Sequence, residues 1–201
     1  MDNENLNTVT ESSPEKRPQS FATALLENLE TIILAVTVAL LVFTFCFRLC
    51  TVSGDSMKST LHNKDRLIVS NIGYKPARGD IIVFHMTGDN TYNEPLVKRV
   101  IATEGEWIDI DFKTWTVRIA DNPNMENAIT LDEPYIYLEG AYWGSSAIKF
   151  PAQVPEGHVF VMGDNRHHSA ESRSSKIGFV DERRILGKVL FRLYPFGMIE
   201  N

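Results

Sequence analysis

"TIILAVTVALLVFTFCFRLCTVSGDSMKSTLHNKDRLIV", residues 31–69, joins two different kinds of sequence. The segment from Thr31 to Phe47 contains no charged residue, and as a helix it is close to the minimum length that spans a bilayer. A turn of small residues that carries Ser56 follows, and residues 65–70 then have the aliphatic pattern of a strand. The stretch therefore predicts a membrane helix that leads directly into a β-rich domain.

The residues before this helix are polar. Residues 1–20 contain two prolines and no aromatic side chain, a composition typical of disorder. A cleaved signal peptide has a short basic start and a small-residue cleavage site, and neither occurs here, so the pattern favours a retained anchor. Basic residues flank both ends of the apolar run, which leaves its orientation open. We predict a disordered tail over 1–28, an anchor over 29–50 and a folded domain over 51–201.

Composition excludes several classes of function. The chain has 201 residues and a net charge of −6, which does not suggest a nucleic-acid-binding protein. Its two cysteines, Cys46 and Cys50, lie at the apolar segment, so the folded domain has neither a disulfide nor thiolate chemistry. No spacing typical of metal ligands occurs. We expect no metal and no cofactor.

The folded part reads as strands and turns. Eight short runs rich in β-branched and aromatic residues are separated by Gly, Pro, Asp and Asn clusters, which predicts an all-β domain of the barrel or sandwich type. One hairpin is expected around Asp111–Thr114, and the irregular region 120–155 is interpreted as an insertion or small second subdomain. The predicted strands are 65–70, 80–86, 95–102, 106–112, 114–119, 135–140, 158–163 and 185–194.

Ser56 is a candidate nucleophile, and such a serine needs a base. His167 and His168 lie near Asp164 in sequence, although adjacent histidines in a polar loop are usually solvated. Ser146 and Lys149 match the S-x-x-K pattern, but its companion S-D-N and K-T-G elements are missing.

Lys98 is the third candidate base. In the predicted strand 95–102, alternation places Lys98 on one face with Leu96 and Val100. One interpretation is an edge lysine whose stem packs while its ammonium remains in water. The other is a buried lysine, whose pKa would fall because burial disfavours the charged form. Such an amine could accept the proton of a serine.

Four segments together resemble the type I signal peptidases, membrane-anchored Ser/Lys proteases that remove signal peptides from exported proteins. The resemblance covers most of residues 48–195, and each motif alone is weak. The segments are "SGDSMKSTL" (53–61), "RGDIIVF" (78–84), "VKRVIATEGE" (97–106) and "GDNRHHSAESR" (163–173).

The resemblance implies roles residue by residue. Ser56 would be the nucleophile, its backbone N–H would donate to the oxyanion, and Lys98 would be the general base. Ser169 would orient the lysine. A polar scaffold would hold the strands together, formed by Asp164, Arg99, Arg166 and Arg173.

The family also implies a mainly antiparallel catalytic domain, a cytoplasmic N-terminus and an extracytoplasmic domain at the plasma membrane. Its partners would be the lipid bilayer and the signal peptides of preproteins, which would add a strand near Ser56 and be cut after small residues. We expect the enzyme to act as a monomer. Aromatic residues in 135–144 would form part of a membrane-facing rim, or simply pack inside the domain.

The sequence departs from the family pattern at several positions. Gly54 replaces a hydroxyl residue that serves some members as a second oxyanion donor, so the identity of that donor is open. Ser59 stands where proline is usual, Glu171 where aspartate is usual, and Ala102-Thr-Glu-Gly-Glu106 replaces Gly-x-Pro-Gly-Asp.

Two alternative functions stay open beside the signal peptidase. Self-cleaving Ser/Lys repressors share the chemistry, but they carry a DNA-binding domain and no anchor. The other alternative is an inactive or specialised homologue that binds export partners or pilus components.

Overall fold

The computed structural model describes residues 21–86, 94–138 and 146–199, with backbone alone at Thr23, Ala24 and Glu27. The chain divides into two compact units, the first ending at Val42 and the second beginning at Phe43. Most of the predicted tail, residues 1–20, lies outside the described residues.

A long helix, α1, covers Phe21–Cys46 and so begins within the segment predicted as a tail. Its part from Asn28 to Cys46 is long and apolar enough to cross a membrane, and large aliphatic side chains such as Leu34 are exposed along it. The helix ends four residues before the predicted end of the anchor. The reason is that residues 48–51 form a strand, whose backbone is hydrogen-bonded to a neighbouring strand instead of continuing the helix.

In the part of the second unit that the structure describes, there are eleven strands and a short 3₁₀ helix at Glu182–Arg184. In chain order the strands are β1 (Arg48–Thr51), β2 (Arg66–Ser70), β3 (Ile81–Phe84), β4 (Leu96–Ala102), β5 (Trp107–Asp111), β6 (Thr116–Ala120), β7 (Ile129–Thr130), β8 (Ala152–Gln153), β9 (His158–Met162), β10 (Val180–Asp181) and β11 (Ile185–Tyr194).

The strands form two antiparallel sheets. The larger has seven strands in the order β1-β2-β11-β3-β4-β9-β10, and the smaller has four in the order β7-β6-β5-β8. The predicted all-β, mainly antiparallel class is confirmed. The predicted hairpin is also present, because β5 and β6 pair with Asp111 opposite Thr116. Its alternation is regular: Ile108 and Ile110 on β5 are buried between more exposed neighbours.

Within residues 135–138, the described part of the predicted strand 135–140, no strand forms. Tyr137 makes one isolated parallel bridge with Asn165, and Glu139 and Gly140 lie outside the described residues. Residues 139–144 of the proposed aromatic rim likewise lie outside them. Within the described parts of 120–155, the two short strands β7 and β8 join the smaller sheet, where they flank the β5-β6 hairpin.

Three clusters of buried apolar side chains form the core. One of them joins the turn around Ser56 to the larger sheet. Val52, Met57 and Leu61 from that turn pack with Leu67, Val69, Ile81, Val83 and Val189. Burial of these side chains fixes the turn that carries Ser56 onto the sheet that contains Lys98.

Candidate active site

Strand β4 carries Lys98 and Arg99 in the middle of the larger sheet. It pairs with β3 on one side, where Lys98 lies opposite Ile82, and with β9 on the other, where Arg99 lies opposite Met162. Lys98 is 2% exposed and Arg99 is fully buried. The structure therefore favours the buried lysine over the edge lysine with its ammonium in water.

The turn that carries Ser56 is anchored at both ends. The Val52 N–H donates to the carbonyl of Asp65 at 2.8 Å, and the Leu61 N–H donates to that of Met57 at 2.8 Å. Gly54 has φ +88°, a conformation that glycine adopts without strain and that a side chain at this position would disfavour. Ser56 lies between this glycine and the buried Met57.

Lys98 and Ser56 are in direct contact. Lys98 Nζ lies 2.7 Å from Ser56 Oγ, and it donates a second hydrogen bond to the carbonyl of Val97 at 2.9 Å. Burial lowers the pKa of Lys98 to about 8, and the carboxylates of Glu171 and Asp164 oppose this shift. A substantial fraction of the amine is therefore neutral in mildly alkaline solution, and a neutral amine can accept a hydroxyl proton.

The residues of the two alternative catalytic arrangements make contacts elsewhere. The ring of His167 packs against Trp115, with centroids 5.4 Å apart. Ser146 Oγ is engaged with the backbone of Ile148, to which it donates at 2.8 Å and from which it accepts at 3.1 Å. Within the described residues no histidine is hydrogen-bonded to Ser56.

The hydroxyl of Ser169 is buried close to the site and makes no hydrogen bond to Lys98. Its Oγ has no hydrogen-bond partner among the described residues. Gly163 lies beside it, and a Cβ at this glycine would collide with both Ser169 Oγ and the carbonyl oxygen of Ser56. The predicted role of Ser169 in orienting the lysine stays a prediction.

Arg99 and Asp164 form a buried bidentate ion pair. Arg99 Nε and Nη2 each donate to the Asp164 carboxylate at 2.9 Å, and Nη1 donates to the carbonyl of Gly79 at 3.0 Å. Thr60 Oγ1 also donates to this carboxylate, and the ring of Tyr135 stacks on the guanidinium at 3.8 Å. These contacts tie β4 to the segment after β9.

The other two arginines of the predicted scaffold have different carboxylate partners. Arg173 pairs with Glu171. Burial raises the pKa of the Glu171 carboxyl, and the nearby Arg173 guanidinium only partly opposes this shift. Arg166 is fully buried and donates to Glu133 through Nη1 at 3.1 Å and Nη2 at 2.5 Å. Arg173 Nη2 also donates to the carbonyl of Arg166, at 3.0 Å.

Three residues of this site were not singled out from the sequence. Thr60 and Asn165 stand inside motifs that were recognised, but nothing in those motifs indicates their contacts. Glu133 lies in an irregular region, and no spacing relates it to Arg166, 33 positions later. Their partners are set by the fold.

Among the described residues, no group of three or more His, Cys, Asp and Glu side chains is arranged to hold a metal ion.

Comparison with known proteins agrees with these motifs. A family model described as "Signal peptidase, peptidase S26" matches residues 25–194. "Signal peptidase I" of Bacillus licheniformis is 34% identical over 195 residues, covering 93% of this chain and 98% of the relative. "Signal peptidase I S" of Bacillus subtilis (strain 168) is 34% identical over 182 residues, covering 86% of this chain and 91% of the relative.

Among solved structures, a signal peptidase I from Enterococcus faecalis V583 matches with a TM-score of 0.41 and 29% sequence identity, covering 57% of this chain and 97% of that one. The family model spans most of the chain, from within helix α1 to the end of β11. The chain belongs to the signal peptidase family, peptidase S26.

Proposed function

We propose that this protein is a type I signal peptidase that uses Ser56 as nucleophile and Lys98 as general base. It would cut the signal peptides of exported preproteins after small residues. The observation that carries the proposal is the 2.7 Å contact between Ser56 Oγ and the buried Lys98 Nζ in a chain of this family.

In the first half of the reaction, Ser56 Oγ attacks the scissile carbonyl carbon while its proton passes to the neutral amine of Lys98. The backbone N–H of Ser56 donates to the oxygen that becomes negatively charged. The tetrahedral intermediate collapses when the Lys98 ammonium returns the proton to the departing amine, which leaves an ester on Ser56.

In the second half, water attacks the ester and gives a proton to Lys98. The lysine then protonates Ser56 Oγ as the ester bond breaks and the carboxylic acid product leaves. These steps use side chains, backbone and water. Burial of Lys98 supports it, because the lowered pKa supplies a neutral amine without a histidine.

The supporting residues hold the segments of the site in place and do not take part in bond making or breaking. The Arg99–Asp164 pair holds the lysine strand to the segment that contains Ser169, and the Arg173–Glu171 pair holds the far end of that segment. The role of Ser169 in orienting Lys98 is part of the proposal and rests on the family resemblance and on the burial of its Oγ beside Gly163.

We propose further that α1 anchors a monomeric enzyme in the plasma membrane, with its N-terminus cytoplasmic and the β-domain extracytoplasmic. The exposed apolar surface of the helix supports the anchor. Only nine positions separate Ser56 from Phe47 at the end of the apolar run, which suits a scissile bond that emerges close to the lipid surface.

The test is cleavage of a preprotein by the full chain in detergent or lipid, beside Ser56→Ala and Lys98→Met. Ser146→Ala and Lys149→Met are matched controls, because this pair has the same residue types. Ser146 is hydrogen-bonded to the nearby backbone of Ile148, and Lys149 is exposed. We expect the first two variants to lose cleavage by at least about 10³-fold and the controls to stay within about twofold.

Retained cleavage by Lys98→Met would place the base elsewhere. If the parent chain binds signal peptides and cuts none of several preproteins, the inactive or specialised homologue becomes the better account.

A further inference from the structure

We propose that Asn165 is a positioning residue that aims the Ser56 N–H at the developing oxyanion by fixing the peptide plane between Asp55 and Ser56. The inference rests on the proposed function, because it concerns the donor that the reaction requires. It adds a residue to the site for which the motif comparison gave no role.

Asn165 contacts two consecutive carbonyls of the nucleophile turn. Its backbone N–H donates to the carbonyl of Ser56 at 3.0 Å, and its side-chain Nδ2 donates to the carbonyl of Asp55 at 3.1 Å. Asn165 itself is 1% exposed. One buried residue therefore holds the turn at two successive peptide groups.

The contact with Asp55 determines where the Ser56 N–H points. The carbonyl of Asp55 and the N–H of Ser56 belong to one planar trans peptide, so they point in opposite directions. Directing the carbonyl toward Asn165 directs the N–H away from it. Within the described part of the chain the Ser56 N–H makes no hydrogen bond, so it is available to a substrate oxygen.

The turn needs such a restraint because Gly54 precedes it. Glycine at φ +88° has more conformational freedom than any other residue, so the chain that leads into the 55–56 peptide is not fixed by local sterics alone. The Gly54 N–H donates to Asn63 Oδ1 at 3.3 Å, which restrains the 53–54 peptide rather than the one that carries the donor.

Asn165 is itself held firmly on both sides. The carbonyl of Asp164 accepts from the Tyr137 N–H at 2.9 Å, and the Arg166 N–H donates to the carbonyl of Tyr137 at 3.1 Å. The side chains of Asp164 and Arg166 are in buried ion pairs. Because the backbone around Asn165 is restrained in this way, its side chain can hold the carbonyl of Asp55 in one position.

The NH₂ group is the part of the Asn165 side-chain amide that makes a hydrogen bond. Asn165 Oδ1 is buried and has no hydrogen-bond partner among the described residues, an arrangement that costs stability. Exchange of the two amide atoms would place an oxygen against the carbonyl oxygen of Asp55. The hydrogen bond from the NH₂ group to the carbonyl of Asp55 is therefore what fixes the orientation of the Asn165 amide, although it leaves Oδ1 unsatisfied.

The experiment compares the full chain with Asn165→Ala and Asn165→Asp in detergent, with Asn63→Ala as the control. Asn63→Ala also removes an asparagine contact to the backbone of this turn, but not at the 55–56 peptide. We expect Asn165→Ala to lower kcat by about 10- to 100-fold, less than complete loss of an oxyanion donor, with KM within about twofold. Asn165→Asp should lose more, because its carboxylate repels the Asp55 carbonyl.

Two further readouts separate aiming of the N–H from general support. Affinity for a peptide boronic acid, which forms a tetrahedral adduct with serine, should fall by the same factor as kcat. Affinity for an uncleavable peptide with a reduced scissile bond should not change. The pH dependence of kcat/KM should keep its midpoint, because Lys98 is not contacted.

Three outcomes would overturn the proposal: an unchanged kcat, an equal loss in Asn63→Ala, or a loss confined to KM. Thermal unfolding of each variant checks the fold. If Asn165→Ala does not fold, Asn165→Ser, which keeps a small polar group but cannot reach Asp55, takes its place. Failure of the proposed function is distinguishable, because Ser56→Ala or Lys98→Met would then remain active.

Discussion

The site around Ser56 and Lys98 depends on three kinds of residue: a buried lysine, a serine on an anchored turn, and a glycine that lets the segment after β9 approach that turn. Gly163 is that glycine. A Cβ there would meet the carbonyl oxygen of Ser56 and the hydroxyl of Ser169 at distances that atoms do not tolerate. Since the carbonyl is backbone, the turn itself would have to move.

We therefore expect Gly163→Ala to reduce cleavage strongly and to destabilise the domain by about 1–3 kcal/mol. Cleavage kinetics and urea unfolding measure the two effects. Gly197→Ala is the control, because its Cβ would meet only the end of the Arg192 side chain, at 3.1 Å, which can move. Wild-type activity and stability in Gly163→Ala would contradict the packing described here.

At this scale the motifs predicted Ser56 and Lys98 as partners, and the structure places them in contact. Alternation alone could not decide whether Lys98 was buried, because that depends on strands β3 and β9, which flank it. The contacts of Asn165 and Thr60 were not predictable either. Each joins segments more than 100 positions apart, and neither residue type specifies a distant partner.

At the scale of elements, the segment 133–138 is the least regular part of the site and one of the most connected. Glu133 pairs with Arg166, the ring of Tyr135 stacks on Arg99, and the backbone of Tyr137 pairs with residues 164 and 166. Its aromatic pattern predicted a strand. Its described part forms a single bridge instead, and both its backbone and its side chains contact the rest of the site.

The Glu133–Arg166 pair leads to a prediction about stability. Glu133→Gln leaves the guanidinium of Arg166 fully buried without its anion, which we expect to cost about 3–5 kcal/mol of the free energy of unfolding. Urea unfolding measures the loss. Glu156→Gln, at an exposed position, is the control, and the double variant Glu133→Gln/Arg166→Met should recover part of the loss. A loss below about 1 kcal/mol would show that the pair is not buried.

The strands with clear alternation or β-branched runs were predicted within a few residues, including all those that carry the site. Strands β1, β7, β8 and β10 were not predicted. Residues 48–50 fall within the predicted anchor, and the other three strands have only two residues each, too few to show a period. Strands β7 and β8 form because the β5-β6 hairpin offers them an unpaired edge.

For the whole molecule, the main prediction concerns α1 as an anchor. Val38 lies near the middle of its apolar part and is exposed. Val38→Arg places a charge near the bilayer centre, which costs about 2.5–3.5 kcal/mol in insertion. We expect a larger fraction of this variant to be released from membranes by alkaline extraction.

Val38→Leu is the control and should behave as the parent does. Protease added to intact spheroplasts should digest the β-domain if it is extracytoplasmic. Digestion only after lysis would reverse the proposed orientation, and release of the parent chain by alkaline extraction would contradict the anchor.

The measurement that tests the central claim most directly is kcat/KM for preprotein cleavage by the full chain as a function of pH. This quantity reports the ionisation of the free enzyme, and Lys98 acts in its neutral form. The rate should therefore rise about tenfold per pH unit at low pH and level off near pH 8, the pKa to which burial lowers Lys98. A midpoint near 6.5, the ordinary value of histidine, would contradict the Ser/Lys assignment.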